Sequence, residues 1–136
     1  MTGATLIFAA LQAAGARPVF HDVGPGFSVA TEQLEAALTP ATRALYLIHY
    51  LGFPQPVATL ATWARSRGLK VVEDCAQAIG TEDVHGRRVG SIGHIGTYSF
   101  FPSKNLGGFG DGGVMCSNDD ALSARLKRLR NHGMEP

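Results

Sequence analysis

This 136-residue chain has only two cysteines, Cys75 and Cys116, and they form no CxxC pair. That excludes the usual thiol-redox and zinc-ribbon spacings. Each sits in an apolar, strand-like context, where a small buried hydrophobe is the ordinary role, and the pattern fits a reducing cytosol. No apolar run approaches the ~20 residues of a membrane span. No charged n-region precedes an apolar segment as in a secretory leader. A cytoplasmic location without a membrane partner is therefore expected. An excess of one charge sign is also missing: 12 Lys and Arg stand against 11 Asp and Glu, a formal net charge of +1. Nothing in that balance draws the chain towards nucleic acid. The basic run from Lys127 to Arg130 lacks interleaved aromatics and reads as a solvated helix face. The five histidines show no H-E-x-x-H or similar spacing, so no metal site is expected.

What is present is globular. Hydrophobic residues make up 45% of the chain and charged residues 17%, enough for one domain with a core rich in Ala, Val and Leu. Residues Thr5 to Ala14 read as a helix closed by Gly15, and Arg17 to Asp22 as a short strand. Thr31 is placed to cap a helix reaching about Leu38, with Glu32 in its first turn. Ala44 to His49 is a near-continuous apolar strand of the kind buried on both faces in parallel sheets. After Pro54 and Pro56, the residues Val57, Leu60, Ala61 and Ala64 mark one helical face, and Gly68 ends it. Lys70 to Glu73 is the next strand. The stretch from Gly80 to Gly96 is irregular, with a turn at His85 to Arg88. Thr97 to Phe101 and Val114 to Cys116 read as strands. Ser117 or Asn118 is expected to cap a last helix that buries Leu122, Leu126 and Leu129. Rapid β–α–β alternation argues for a parallel sheet with right-handed crossovers.

Chemistry concentrates in two places. The strand Val71-Val72-Glu73-Asp74 ends in adjacent acids, whose side chains must point to opposite faces. Ligands of open α/β sheets bind beyond the carboxyl ends of the strands, so Asp74, the later acid, lies nearer that crevice. It could pair with a basic ring nitrogen or cap its own turn. Gln77, three residues on, could reach a ring substituent or tie down the loop. Lys104 follows the apolar run TYSFF and precedes a glycine-rich loop, a setting that suits a lysine acting as a nucleophile on an aldehyde. Ser99 could donate its hydroxyl to a phosphate or simply satisfy a strand neighbour. A formal G-x-G-x-x-G at Gly108, Gly110 and Gly113 precedes a strand instead of opening a helix, which excludes a dinucleotide fingerprint. Its glycines suit close passage of backbone past a ligand.

Taken together, the segments Gly15–Phe20, His49–Gly52, Val71–Ala78, Gly86–Ser91, Ser99–Gly107, Gly110–Gly113 and Leu129–Gly133 resemble the DegT/DnrJ/StrS family of sugar aminotransferases, which depend on pyridoxal 5'-phosphate (PLP). The match is collinear over nearly the whole chain. The resemblance implies an α/β fold: a three-layer, mostly parallel sheet flanked by helices, with residues 1–136 forming the central portion of the large, PLP-binding domain. A phosphate-binding segment and a cofactor-stacking ring would precede it, and a small domain would follow it. The resemblance also implies roles for individual residues. Lys104 matches the catalytic Schiff-base lysine, and Asp74 the carboxylate on the pyridinium nitrogen. Gln77 matches the residue beside the ring hydroxyl, and Ser99 a phosphate-binding serine. The implied reaction moves an amino group from an amino-acid donor, commonly glutamate, to a nucleotide-linked keto sugar, in a homodimer. The alternative is a non-catalytic paralogue that at most binds a partner.

Overall fold

The computed structural model describes residues 3–134. Helix α1 spans Gly3–Ala13. It closes as the sequence predicts: Gly15 adopts a left-handed φ of 75°, its N–H donates to the Gln12 carbonyl, and the Ala16 N–H reaches back to Leu11. This pair of bonds satisfies carbonyls that a helix end leaves open. Helices α2 (Thr31–Ala37) and α3 (Val57–Ser66) follow, and α4 (Asp120–Arg130) comes last. Among the described residues no helix is long and apolar enough to cross a membrane.

Four strands form one sheet in the order β1 (Ala44–Ile48), β2 (Lys70–Asp74), β3 (Ile95–Ser99) and β4 (Gly113–Cys116). The first three run parallel, and β4 pairs antiparallel with β3. Register fixes two faces, because side chains alternate along each strand. One face carries Leu45, Leu47, Val71, Glu73 and Tyr98. The other carries Tyr46, Ile48, Val72, Asp74, Thr97 and Ser99.

Helix α3 covers the first face. It buries the four residues that the periodicity marks, Val57, Leu60, Ala61 and Ala64. They pack with Leu34, Leu47, Leu69, Val71 and Ile92 into the main core. Full burial of each Val or Leu side chain contributes about 1.5–3 kcal/mol, so this stripe anchors the helix to β1 and β2. A smaller cluster of Cys75, Ala78 and Val89, with Tyr98 against it, continues the core past the end of β2.

Several elements differ from the sequence expectation. Arg17 to Asp22 forms no strand, and Val19 and Phe20 are exposed; Pro18 lacks an N–H to donate, and no described strand lies alongside to pair with the segment. The N-cap position of α2 is Ala30, one residue earlier than predicted, where the Gln33 side chain reaches back to accept from the Ala30 N–H. Strand β1 is well covered on the α3 face only, and Ile48 is exposed. Strand β3 starts at Ile95 and stops at Ser99, two residues before the predicted end. Asp119 caps α4, its carboxylate accepting from the Leu122 N–H. Ser117 and Asn118 instead donate to the His94 and Ser91 carbonyls. Helix α4 has no fully buried residue: Leu122 and Leu126 are half-buried, and Leu129 is exposed.

Candidate functional site

The two acids that end β2 have different environments. Glu73 points into the α3 side and is fully buried. One carboxylate oxygen accepts from His49 Nε2 at 3.0 Å and from the Gly90 N–H at 2.7 Å. The other accepts from the Ile92 and Gly93 N–H groups at 2.9 and 2.5 Å. Burial by itself would raise the carboxyl's pKa. The His49 bond and the three amides outweigh it, and the group lies below its ordinary value. The proton of His49 is placed by the same network. Its Nδ1 accepts from the Gln55 N–H at 3.0 Å, so the ring carries its proton on Nε2, facing Glu73.

His49, Glu73 and Cys75 set ligand-type atoms within 4.8 Å of one another. Both ring nitrogens and both carboxylate oxygens are already hydrogen-bonded. Burial, with the charges of Glu73 and Asp74, pushes the Cys75 thiol up to about 12. The cluster is a closed structural core, and it is one that the sequence reading missed. The available signal was the fully apolar setting of His49 together with the second acid of the Glu73-Asp74 pair.

Asp74 points to the opposite face. Its Oδ2 accepts from the Tyr46 hydroxyl at 2.8 Å, and its Oδ1 from the Ala76 N–H at 3.0 Å. The turn-capping role is therefore real. It uses one lone pair on each oxygen and leaves acceptor capacity on both. Gln77 ties down the preceding loop, with its Oε1 accepting from the Leu51 N–H at 3.1 Å, and its amide N–H groups remain for another acceptor.

Ser99, at the end of β3, lies on the same sheet face as Asp74, because Thr97 is the register partner of Asp74. Its Oγ accepts from the Phe101 N–H at 3.3 Å. The chain then leaves the carboxyl edge of the sheet and turns at Lys104, whose N–H donates to the Phe101 carbonyl at 2.8 Å. Lys104 is half-buried, and its ammonium has no hydrogen-bond or ion-pair partner among the described residues. The glycines that follow have a steric reason. A Cβ on Gly107 would collide with the Pro102 carbonyl, and Gly110 holds a φ of 147°.

Parallel strands deliver an acid and a hydroxyl to one edge of the sheet, and the loop leaving that edge presents an unpaired lysine. They lie at the carboxyl ends of the parallel strands, the end at which open α/β sheets as a class bind ligands. The chain belongs to the DegT/DnrJ/EryC1/StrS aminotransferase family, whose model matches residues 4–136. A relative from Acidithiobacillus ferrooxidans, UDP-N-acetyl-3-dehydro-alpha-D-glucosamine 3-aminotransferase, is 49% identical over 120 residues, covering 88% of this chain and 32% of its own. DesV of S. venezuelae, solved in complex with a ketimine intermediate, superposes with a TM-score of 0.87 at 40% identity, over 96% of this chain and 35% of that one. NtdA of Bacillus subtilis, solved with bound cofactor PMP, has a TM-score of 0.87 at 30% identity, over 96% of this chain and 29% of that one. The chain thus spans about a third of the length of the curated relatives it matches.

Proposed function

We propose that this chain is the central portion of the large domain of a PLP-dependent aminotransferase that moves an amino group from an amino acid to a nucleotide-linked keto sugar. One observation carries the reading: in a chain of this family, Asp74 and Ser99 share one sheet face at the carboxyl edge from which the Lys104 loop emerges. The sugar nucleotide is argued from the Acidithiobacillus relative, whose name specifies a UDP-linked dehydro sugar. Action as a cytoplasmic homodimer belongs to the same proposal.

The donor set fits the cofactor. Asp74 is an anchored carboxylate with spare acceptor capacity, suited to a protonated ring nitrogen. The amide N–H groups of Gln77 suit a ring oxygen. Ser99 Oγ has a proton to donate to a phosphate oxygen. Lys104 Nζ would be the nucleophilic amine, and the same amine would serve as the base that moves a proton at the bound substrate. Bound PLP supplies an aldehyde carbon that takes up nitrogen and a protonated ring that withdraws electrons. The chain's own contribution is to hold Asp74 and Ser99 at the ends of paired strands and to carry Gln77 and Lys104 on the loops that follow, so that orientation is set before the substrate arrives.

The test uses the intact protein that contains this segment. Added PLP should produce a visible absorbance band, and borohydride followed by peptide mapping should place the modification on Lys104. Lys104→Ala should abolish both, along with transfer from glutamate to a UDP- or dTDP-linked keto sugar. Modification of another lysine, or none, overturns the assignment.

A further inference from the structure

We infer that Tyr46 is a positioning residue for the cofactor's ring nitrogen, acting through Asp74. This rests on the reading of Asp74 given above. Tyr46 lies in the middle of β1, on the face that carries Asp74, and is half-buried there. Its hydroxyl donates to Asp74 Oδ2 at 2.8 Å, while the Ala76 N–H holds Oδ1 at 3.0 Å. A carboxylate held at one oxygen still turns about its terminal bond, and that torsion is broad and soft. Held at both oxygens, its plane is set.

The two anchors come from different parts of the fold. Ala76 belongs to the turn after β2, and Tyr46 to the neighbouring strand, 28 residues away in sequence. The carboxylate's direction is thereby referred to the sheet and not only to its own turn. A phenol is also a donor that persists. Burial first, and the negative charge of Asp74 next, hold Tyr46 well above its ordinary pKa, so it stays protonated wherever Asp74 is charged. The Thr97 hydroxyl lies alongside on the same face and donates to the Glu73 carbonyl at 3.2 Å. It braces β3 against β2 beneath the pair.

A purely structural tyrosine would need Asp74 only as an acceptor for its own hydroxyl. The two roles separate in experiment. Tyr46→Phe keeps the ring and removes the donor. The intact protein is prepared as wild type, Tyr46→Phe, Asp74→Asn and the double variant. Three quantities are read: the thermal midpoint without cofactor, the PLP dissociation constant, and the 15N chemical shift of ring-labelled PLP. Tyr46→Phe should raise the PLP dissociation constant about tenfold and move the 15N shift part of the way to that of Asp74→Asn. In the Asp74→Asn background the same change should leave both unaltered. If Tyr46→Phe lowers only the thermal midpoint, with dissociation constant and 15N shift unchanged while Asp74→Asn moves both, the inference is overturned and Tyr46 is structural. If Asp74→Asn itself moves neither, the reading of Asp74 fails, and the inference with it. Should Tyr46→Phe fold poorly, Tyr46→Met at similar bulk provides the same comparison.

Discussion

His49 Nε2 and the Glu73 carboxylate lie 3.0 Å apart, and neither side chain is exposed to solvent. The pair is one end of a relay. His49 Nδ1 accepts from the Gln55 N–H, and the Gln55 side chain in turn accepts from the Val29 N–H and donates to the Phe27 carbonyl. At its other end Glu73 gathers three amides from the Gly90–Gly93 loop. A single buried anion thus joins β1, the end of β2 and two loops directly beneath Asp74. Water is excluded there, so each of these donors depends on a protein partner.

Glu73→Gln should therefore be severe. Glutamine presents one acceptor oxygen to four donors and sets its own N–H groups against the rest. Breaking a buried charged network of this kind costs about 3–5 kcal/mol, to be read from urea unfolding of the intact protein. A loss under about 1 kcal/mol, the size of an ordinary single substitution, would show that the donors find other partners.

Acid should weaken the fold, and part of the loss should trace to Asp83. Its carboxylate organises the turn between Glu82 and Arg88. It accepts from the His85 and Arg87 N–H groups and from the Arg87 guanidinium. Burial opposes the charge, but these bonds prevail and pull the group down to about 2. A carboxyl with a folded pKa below its unfolded value of about 3.9 contributes stability that is fully present above that value. The contribution fades as pH falls through the folded pKa. Wild type should lose stability more steeply than Asp83→Asn between about pH 4 and pH 2. Parallel curves would refute this. Glu73 shifts in the same direction and is common to both proteins, so the difference isolates Asp83.

Gly96 and Gly86 should respond differently to alanine. A Cβ on Gly96 would run into the backbone of Gly90, with the Gly90 carbonyl carbon 2.6 Å away. Gly96 is held in β3, and the Gly90 N–H is bonded to the buried Glu73 carboxylate, so neither backbone withdraws without breaking those bonds. Gly86 also has a positive φ, 73°, but nothing lies within 4 Å of its added Cβ. Gly86→Ala should cost about 1 kcal/mol, the backbone term alone. Gly96→Ala should exceed about 3 kcal/mol, in the range of overpacking. Equal thermal midpoints for the two variants would contradict the packing argument.

Gln55→Ala should loosen the 24–29 segment without unfolding the sheet. The Gln55 side chain donates to Phe27 at 2.6 Å and accepts from Val29 at 3.1 Å. Losing both bonds leaves partners that are only partly buried, so a cost of about 1–2 kcal/mol is expected. Hydrogen exchange should accelerate at Val29 while the β2 amides stay protected. Uniform acceleration across both would mean that Gln55 supports the whole core.

Helix α3 was legible in full: its four apolar positions are the four buried ones, and Gly68 ends it with a φ of 69°. The strand ending in Asp74 was equally plain, because a short β-branched run bounded by polar residues leaves few alternatives. The helix caps fell one or two residues off. Thr31, Ser117 and Asn118 are good capping types, but type alone does not say which residue the backbone turns at. The segment Arg17 to Asp22 failed for another reason. An extended run becomes a strand only where it lies beside a sheet edge and pairs with it, and this segment pairs with neither outer strand, β1 or β4.

The sequence by itself determined the order of the four helices and four sheet strands, though not the absence of a strand at Arg17 to Asp22, and it determined the mostly parallel α/β class and the residues with chemical potential, Asp74, Gln77, Ser99 and Lys104. These follow from local periodicity, breaker residues and side-chain type, all of which are written along the chain. Tertiary structure alone decided which acid faces which way, because alternation along β2 needs the sheet to say which side α3 covers. It made Glu73 the buried anchor of a four-donor network. It turned Asp74 towards Tyr46, 28 positions earlier in the chain. Hydrogen bonds between residues so far apart depend on strand register, and register is set by the packing of the whole core.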